Sequence, residues 1–155
     1  MTTMVEAQNL TVQVYQVVIK ASPEQIWDAI TKPEFTERYF HGVRSTFELR
    51  PGGHYEQQLS GGRGLATQGE VLEVDPPRKL SHTWTSLYDP EMAREEPSRV
   101  TWEIEPRDGG VTLLTVTHDR LEGAPKTAAG VSGAGWVGVL SAMKTLLETG
   151  KPLYD

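Results

Sequence analysis

From Thr46 to His118 the chain reads as short runs of β-branched and aromatic residues, cut by turn signals at hairpin spacing. Pro51-Gly52-Gly53 separates Thr46–Arg50 from His54–Leu59, and Gly61-Gly62-Arg63-Gly64 precedes Thr67–Val74. Asp75-Pro76-Pro77 leads into Lys79–Thr85, and Pro106–Gly110 divides Val100–Glu105 from Val111–His118. Connections this short return a strand alongside its predecessor, so the pattern predicts an antiparallel meander. Val100, Trp102 and Ile104 alternate with Thr101, Glu103 and Glu105, the period of a half-buried strand. A sheet patterned in this way buries one face, and that face needs cover from elsewhere in the chain.

Little helix is available to supply that cover. Leu10–Ala21 is β-branched and partly alternating, and reads as a first strand. Ser22-Pro23-Glu24-Gln25 is a capping box with proline at the first helical position, so a helix starts there. Its inner face is Ile26, Trp27 and Ile30. Pro33 interrupts it, and a second short helix is expected to Phe40, with Phe35 and Tyr39 inward. The one substantial helix comes last, in GWVGVLSAMKTLLETG. Trp136, Val139, Leu140, Met143, Leu146 and Leu147 form a single stripe, and Gly150 with Pro152 ends it. Residues 86–98 are polar, acidic and proline-bearing and read as a long loop, either simply solvated or a gate over a cavity mouth. Leu121–Gly135 is a stretch of small residues with no assigned element. The expected order is β-α-α, about six strands and a helix, an α+β domain over 10–150. Residues 1–9 are expected as a flexible tail and 151–155 as a C-terminal one. With 155 residues, no repeat and no linker, one domain is the natural count.

Composition narrows the function. The chain has no cysteine, which removes disulfides, thiolate metal sites and cysteine nucleophiles. The N-terminus lacks the basic start and apolar core of a signal peptide, and no apolar run approaches a membrane span, so a cytoplasmic location is expected. A net charge of −6 without a basic run argues against nucleic acid as a partner. The histidines, at 41, 54, 82 and 118, form no HxH or HExxH pair, so neither a metal nor another cofactor is expected, although folding could bring His82 and His118 together. The glycine clusters lack phosphate-loop spacing and read as hairpin turns. Ser132, in GVSGA, does not complete a nucleophile elbow.

Several stretches together resemble one family. They are IKASPEQIWDAIT with KPEFTERYF, LRPGGHYE, GEVLEVDPPRKLSHTW, EPSRVTWEIEPRDGGVTLLTVTHDRL and the final GWVGVLSAMKTLLETG. In this order, from about Val12 to Gly150, they resemble the helix-grip superfamily of the birch-pollen allergen, START-type lipid-transfer domains and polyketide cyclases. Within it they are most similar to the bacterial branch related to the C-terminal domain of the activator of the ninety-kilodalton heat-shock protein ATPase. The resemblance implies a curved antiparallel sheet of about seven strands gripping the long C-terminal helix, with two short helices after the first strand and a central cavity. It implies an apolar residue at the place of His82.

Alternation puts Leu80, His82 and Trp84 on one strand face, Val100, Trp102 and Ile104 on the next, and Leu114, Val116 and His118 on a third. The candidate cavity lining is Tyr39, Phe40, Tyr55, His82, Trp84, Trp102, His118, Trp136, Leu140 and Met143. The favoured expectation is a small hydrophobic-ligand binding protein, its ligand lipid-like or aromatic and oriented by a histidine or tyrosine. Two alternatives stand beside it. One is a cavity enzyme of cyclase or hydrolase type with a histidine base. The other is a stress-response or co-chaperone-like interaction domain, for which the heat-shock resemblance is the only warrant and the chaperone-binding domain of that family is not seen in the chain. A homodimer is left open.

Overall fold

The computed structural model describes residues 11–154; the tail expected over 1–9 lies outside the described residues. Eleven regular elements follow in the order β1 (Gln13–Ile19), α1 (Pro23–Thr31), α2 (Pro33–Tyr39), β2 (Arg44–Phe47), β3 (His54–Gln58), β4 (Leu65–Asp75), β5 (Lys79–Ser86), β6 (Ser98–Pro106), β7 (Thr112–Asp119), α3 (Pro125–Val131) and α4 (Ala134–Thr149). The strands form one seven-stranded antiparallel sheet in the order β1-β7-β6-β5-β4-β3-β2. Five hairpins run consecutively from β2 to β7, and β1 closes onto β7 at the far edge, so α1 and α2 carry the chain across the sheet's buried face. The curved sheet holding a C-terminal helix is the α+β helix-grip fold.

Local sequence explains the elements. Ser22 Oγ accepts from Gln25 N–H at 3.1 Å and Gln25 Oε1 from Ser22 N–H at 2.8 Å, the reciprocal cap that starts α1. Gly150 ends α4 in the left-handed region (φ 77°), its N–H donating to the Leu146 carbonyl at 2.8 Å. The α4 stripe is buried at Trp136, Val139, Leu140, Met143 and Leu146, with Leu147 at its edge. These side chains share one core with Leu80 and Trp84 of β5, Val100, Trp102 and Ile104 of β6, and Leu114 and Val116 of β7. Polar contacts fix α4 against β1: Lys144 Nζ donates to the Val18 carbonyl at 2.6 Å, and Glu148 Oε2 accepts from Lys20 N–H at 2.8 Å.

Two elements differ from expectation. The strand read over Thr46–Arg50 is β2, Arg44–Phe47. Its last ladder pair is Phe47 with Tyr55; beyond it the chain turns at Arg50–Gly53 and lies against β4, where Gly52 N–H donates to the Val71 carbonyl and Val71 N–H to that of Gly53, each at 2.8 Å. The small-residue stretch contains a helix, α3, which buries Thr127 and Ala128. Its cap is distant in sequence. Glu95 Oε2 accepts from Lys126 N–H at 2.7 Å, and Glu95 Oε1 from Thr127 N–H at 3.0 Å. The acidic segment 86–98 is therefore tied down. It contains a short 3-10 turn, Met92–Arg94, buries Met92, and pairs Lys126 with Asp89 and Glu91.

Candidate functional site

The site lies along the first half of α4. Trp136 and Val139 of α4 face Trp84 of β5, Gln57 of β3 and Thr67 of β4 across a pocket of ≈ 250 Å³. Phe40, His41 and Val43, after α2, close a second side; Gly130 and Val131 of α3 close a third. Tyr88, 57% exposed, stands at the rim. The back wall is aromatic. Phe40, Trp84 and Trp136 touch one another with ring centroids 5.8–6.4 Å apart. Among the described residues no Asp, Glu, Lys or Arg is on the wall, and the titratable side chains there are His41 and Tyr88. His41 holds a left-handed backbone (φ 51°) at the end of α2, and Gly42 follows in the same region.

Beneath the rings lies a line of polar residues. The register places Ser45 of β2 opposite Gln57 of β3, Gln57 opposite Thr67 of β4, and Thr67 opposite Ser86 of β5. All four are at most 2% exposed. Gln57 Nε2 donates to Ser45 Oγ at 3.1 Å, and Trp84 Nε1 donates to Ser86 Oγ at 3.0 Å. Among the described residues the Gln57 carboxamide oxygen and the Thr67 hydroxyl make no hydrogen bond, yet none of those residues seals a buried polar side-chain atom away without a partner. Neither atom is therefore fully sealed in, and both residues line the pocket.

Of the ten candidate lining residues, Phe40, Trp84 and Trp136 are on the pocket wall. Tyr39, Tyr55, His82, Trp102, His118, Leu140 and Met143 are not on it; all seven side chains are buried. Tyr39 Oη donates to the Ala29 carbonyl at 2.8 Å, which joins α2 to α1. Tyr55 stacks on Phe47 at 4.7 Å and against the His82 ring at 4.2 Å, and burial pushes both phenols up, away from ionisation. Gln57, Thr67, Tyr88 and Val131 are wall residues that pattern reading missed. For Val131 a signal existed, since Pro125 could have marked a helix start.

The two buried histidines are structural partners of tryptophan. His82 and His118 face inward in one cross-strand row, separated by Val100 of β6. Trp102 Nε1 donates to His82 Nε2 at 3.1 Å, and His82 Nδ1 lies 2.9 Å from the Thr83 carbonyl, so Nδ1 carries the proton. Trp136 Nε1 donates to His118 Nδ1 at 3.1 Å; His118 Nε2 is then the donor to Ser98 Oγ at 2.8 Å, and Ser98 passes its own hydrogen to the Trp84 carbonyl at 3.2 Å. Burial pulls His82 down to about 4, against the Thr83 bond. Burial, with His82 nearby, takes His118 to about 3, against the Asp119 carboxylate. Both rings are neutral near pH 7, with both nitrogens occupied. Among the described residues no group of three or more His, Cys, Asp or Glu gathers as a metal site would.

Comparison with solved structures places this geometry in a wide group. The chain is similar to protein MLL2253 of Mesorhizobium loti (27% identity, TM-score 0.72, covering 88% of this chain and 96% of that one). It shares its fold with PFC0360w, an HSP90 activator from Plasmodium falciparum (21%, 0.65, 92% and 98%). The same holds for the Aha1 dimer of Colwellia psychrerythraea (20%, 0.66, 90% and 98%). No curated protein matches the chain. No helix among the described residues is long and apolar enough to cross a membrane. The family model described as activator of Hsp90 ATPase homolog 1-like protein matches residues 20–148, nearly the whole sheet and the helix it grips, and the chain belongs to that family.

Proposed function

We propose that the protein binds a small, largely apolar molecule in the pocket between α4 and the β3–β5 end of the sheet. The observation that carries this reading is the wall itself: Phe40, Trp84 and Trp136 offer ring surface to a concave space with no charged residue on it among those described. Concave, mainly apolar sites with a few polar groups are the usual form of a small-molecule site. The volume, ≈ 250 Å³, suits a compact ligand of one or two rings better than a long acyl chain. Binding is favoured over catalysis because the buried histidines, His82 and His118, have both ring nitrogens engaged and stand off the pocket, and the histidine on the wall, His41, is exposed to solvent.

The test fills the pocket from its least consequential side. Val131 is half-buried on α3, on the pocket wall and at the margin of the main core, so Val131→Trp adds ring surface at the pocket. Tryptophan fluorescence followed during titration with 2-methylnaphthalene should saturate for the unmodified protein. In Val131→Trp, affinity should fall at least about tenfold, or roughly 1.4 kcal/mol. Equal affinity in both proteins, or no saturable signal in either, removes the pocket as a binding site.

A further inference from the structure

Resting on that reading and sharpening it, we propose that Gln57 and Thr67 form a polar anchor selecting a neutral hydroxylated aromatic ligand, a phenol or naphthol, over its unsubstituted or charged relatives. Four adjoining strands place Ser45, Gln57, Thr67 and Ser86 in one buried row, where an inward-facing row of a sheet ordinarily carries apolar residues. Such a departure from apolar patterning is expected where function overrides packing. The two outer members of the row are occupied, Ser45 by Gln57 Nε2 and Ser86 by the Trp84 indole. The two central members are the ones on the pocket wall, and each has a hydrogen-bonding atom with no partner among the described residues.

The chemistry of the pair specifies its complement. The Gln57 oxygen accepts; the Thr67 hydroxyl can donate or accept. A ligand hydroxyl donates to the first and accepts from the second. If the carboxamide turns end for end, with Ser45 donating to its oxygen, its NH₂ faces the pocket and a hydroxyl still satisfies it. A methyl group in the same place leaves both protein atoms dry and unpaired, which is costly in a buried site. Among the described residues a carboxylate or ammonium meets no opposite charge on the wall, and it loses its hydration. The rings of Phe40, Trp84 and Trp136 pack on one another with centroids 5.8–6.4 Å apart and offer ring surface to the pocket, against which an aromatic ligand can stack.

The experiment compares 2-naphthol, 2-methylnaphthalene and 2-naphthoate on the unmodified protein by fluorescence or calorimetric titration at pH 7. The naphthol should bind about tenfold more tightly than its methyl isostere, with the naphthoate weakest. Thr67→Val and Gln57→Leu should each bring the naphthol-to-methylnaphthalene ratio below about threefold while 2-methylnaphthalene binds as well as before or better. Equal binding of naphthol and methylnaphthalene by the unmodified protein overturns the anchor and leaves the pocket intact. Absence of binding by all three overturns the pocket reading itself, and the anchor with it. The unmodified protein supplies the decisive ratio, so the outcome does not depend on either variant folding.

Discussion

A methyl group added at Gly69 would fall on the Thr83 carbonyl oxygen, with the Thr83 carbonyl carbon close behind. The obstacle is backbone of the neighbouring strand, held by the β4–β5 ladder, so relief requires moving the strand itself. Gly69→Ala should therefore cost about 1–3 kcal/mol, the range of an overpacked interior site. Gly130 is the contrasting case. There the added carbon meets Met92 Cε at 3.0 Å, the free end of a flexible side chain, and it stands inside helix α3. Alanine is the better helix former by up to about 1 kcal/mol, so Gly130→Ala should be neutral or mildly stabilising. Urea midpoints of the two variants, measured side by side, check the contrast. A smaller loss for Gly69→Ala than for Gly130→Ala would show that the strand yields where the side chain does not.

At the scale of the element, α3 depends on a partner far away in sequence. Seven residues with no side-chain cap of their own make a marginal helix. Glu95 supplies the missing acceptor for two amides and also takes the Thr127 hydroxyl at 2.7 Å. Glu95→Ala should loosen α3 and the 86–98 segment together, at a cost of about 0.5–2 kcal/mol in global stability. Hydrogen exchange should show it first, as faster exchange at Leu87–Glu96 and Lys126–Val131 with β6 and β7 unchanged. Uniform acceleration across the sheet would instead make α3 part of the global unfolding unit. The same dependence explains what could be read in advance. The strands and their inward faces were legible because a two-residue period survives in any context, as at Val100, Trp102 and Ile104. The α1 cap was legible because Ser22 and Gln25 are three residues apart. The cap of α3 was not, because Glu95 and Thr127 are 32 residues apart and nothing local joins them. The row Ser45–Gln57–Thr67–Ser86 was equally hidden. It exists only through the registers of three hairpins, two of them shifted, at Gln57/Gln58 and at Val71/Glu73, and no single strand displays it. Periodicity gave the facing of Trp84, Trp102 and Trp136 but not their depth, so it could not tell that two of these rings reach the pocket and that Trp102 stays beneath.

At the scale of the whole molecule, the same neutral histidines make stability depend on pH. Folding holds His82 at about 4 and His118 at about 3, while an unfolded chain releases both near the ordinary value of 6.5. A histidine depressed on folding is protonated more readily when unfolded, so its contribution is fully present above about 6.5 and drains away as pH falls toward the folded values. Between pH 7 and pH 5 each should remove about 2 kcal/mol, and the pair about 4 kcal/mol, a large share of a domain's ordinary stability. Other charges do not imitate this window. The carboxyls of Asp119 and Glu56 are held low, Asp119 first by its bonds to Arg99 and Glu56 first by Gln58, so their loss comes at more acid pH. The chain carries a net charge of −6 at pH 7 and has a sequence pI near 5.2, so acidification toward pH 5 relieves overall repulsion and works in the opposite direction. Urea denaturation at pH 7, 6 and 5 should show a falling midpoint with an unchanged slope. Mildly acidic solution should thereby open the core at the same rows of side chains that hold Trp136 and Trp102 by their indole N–H groups, and an emission shift of those tryptophans should track the midpoint. A midpoint that stays level or rises from pH 7 to pH 5 would mean that protonating His82 and His118 costs no more than the relief of overall repulsion returns, and that the fold does not hold the two rings neutral as strongly as this.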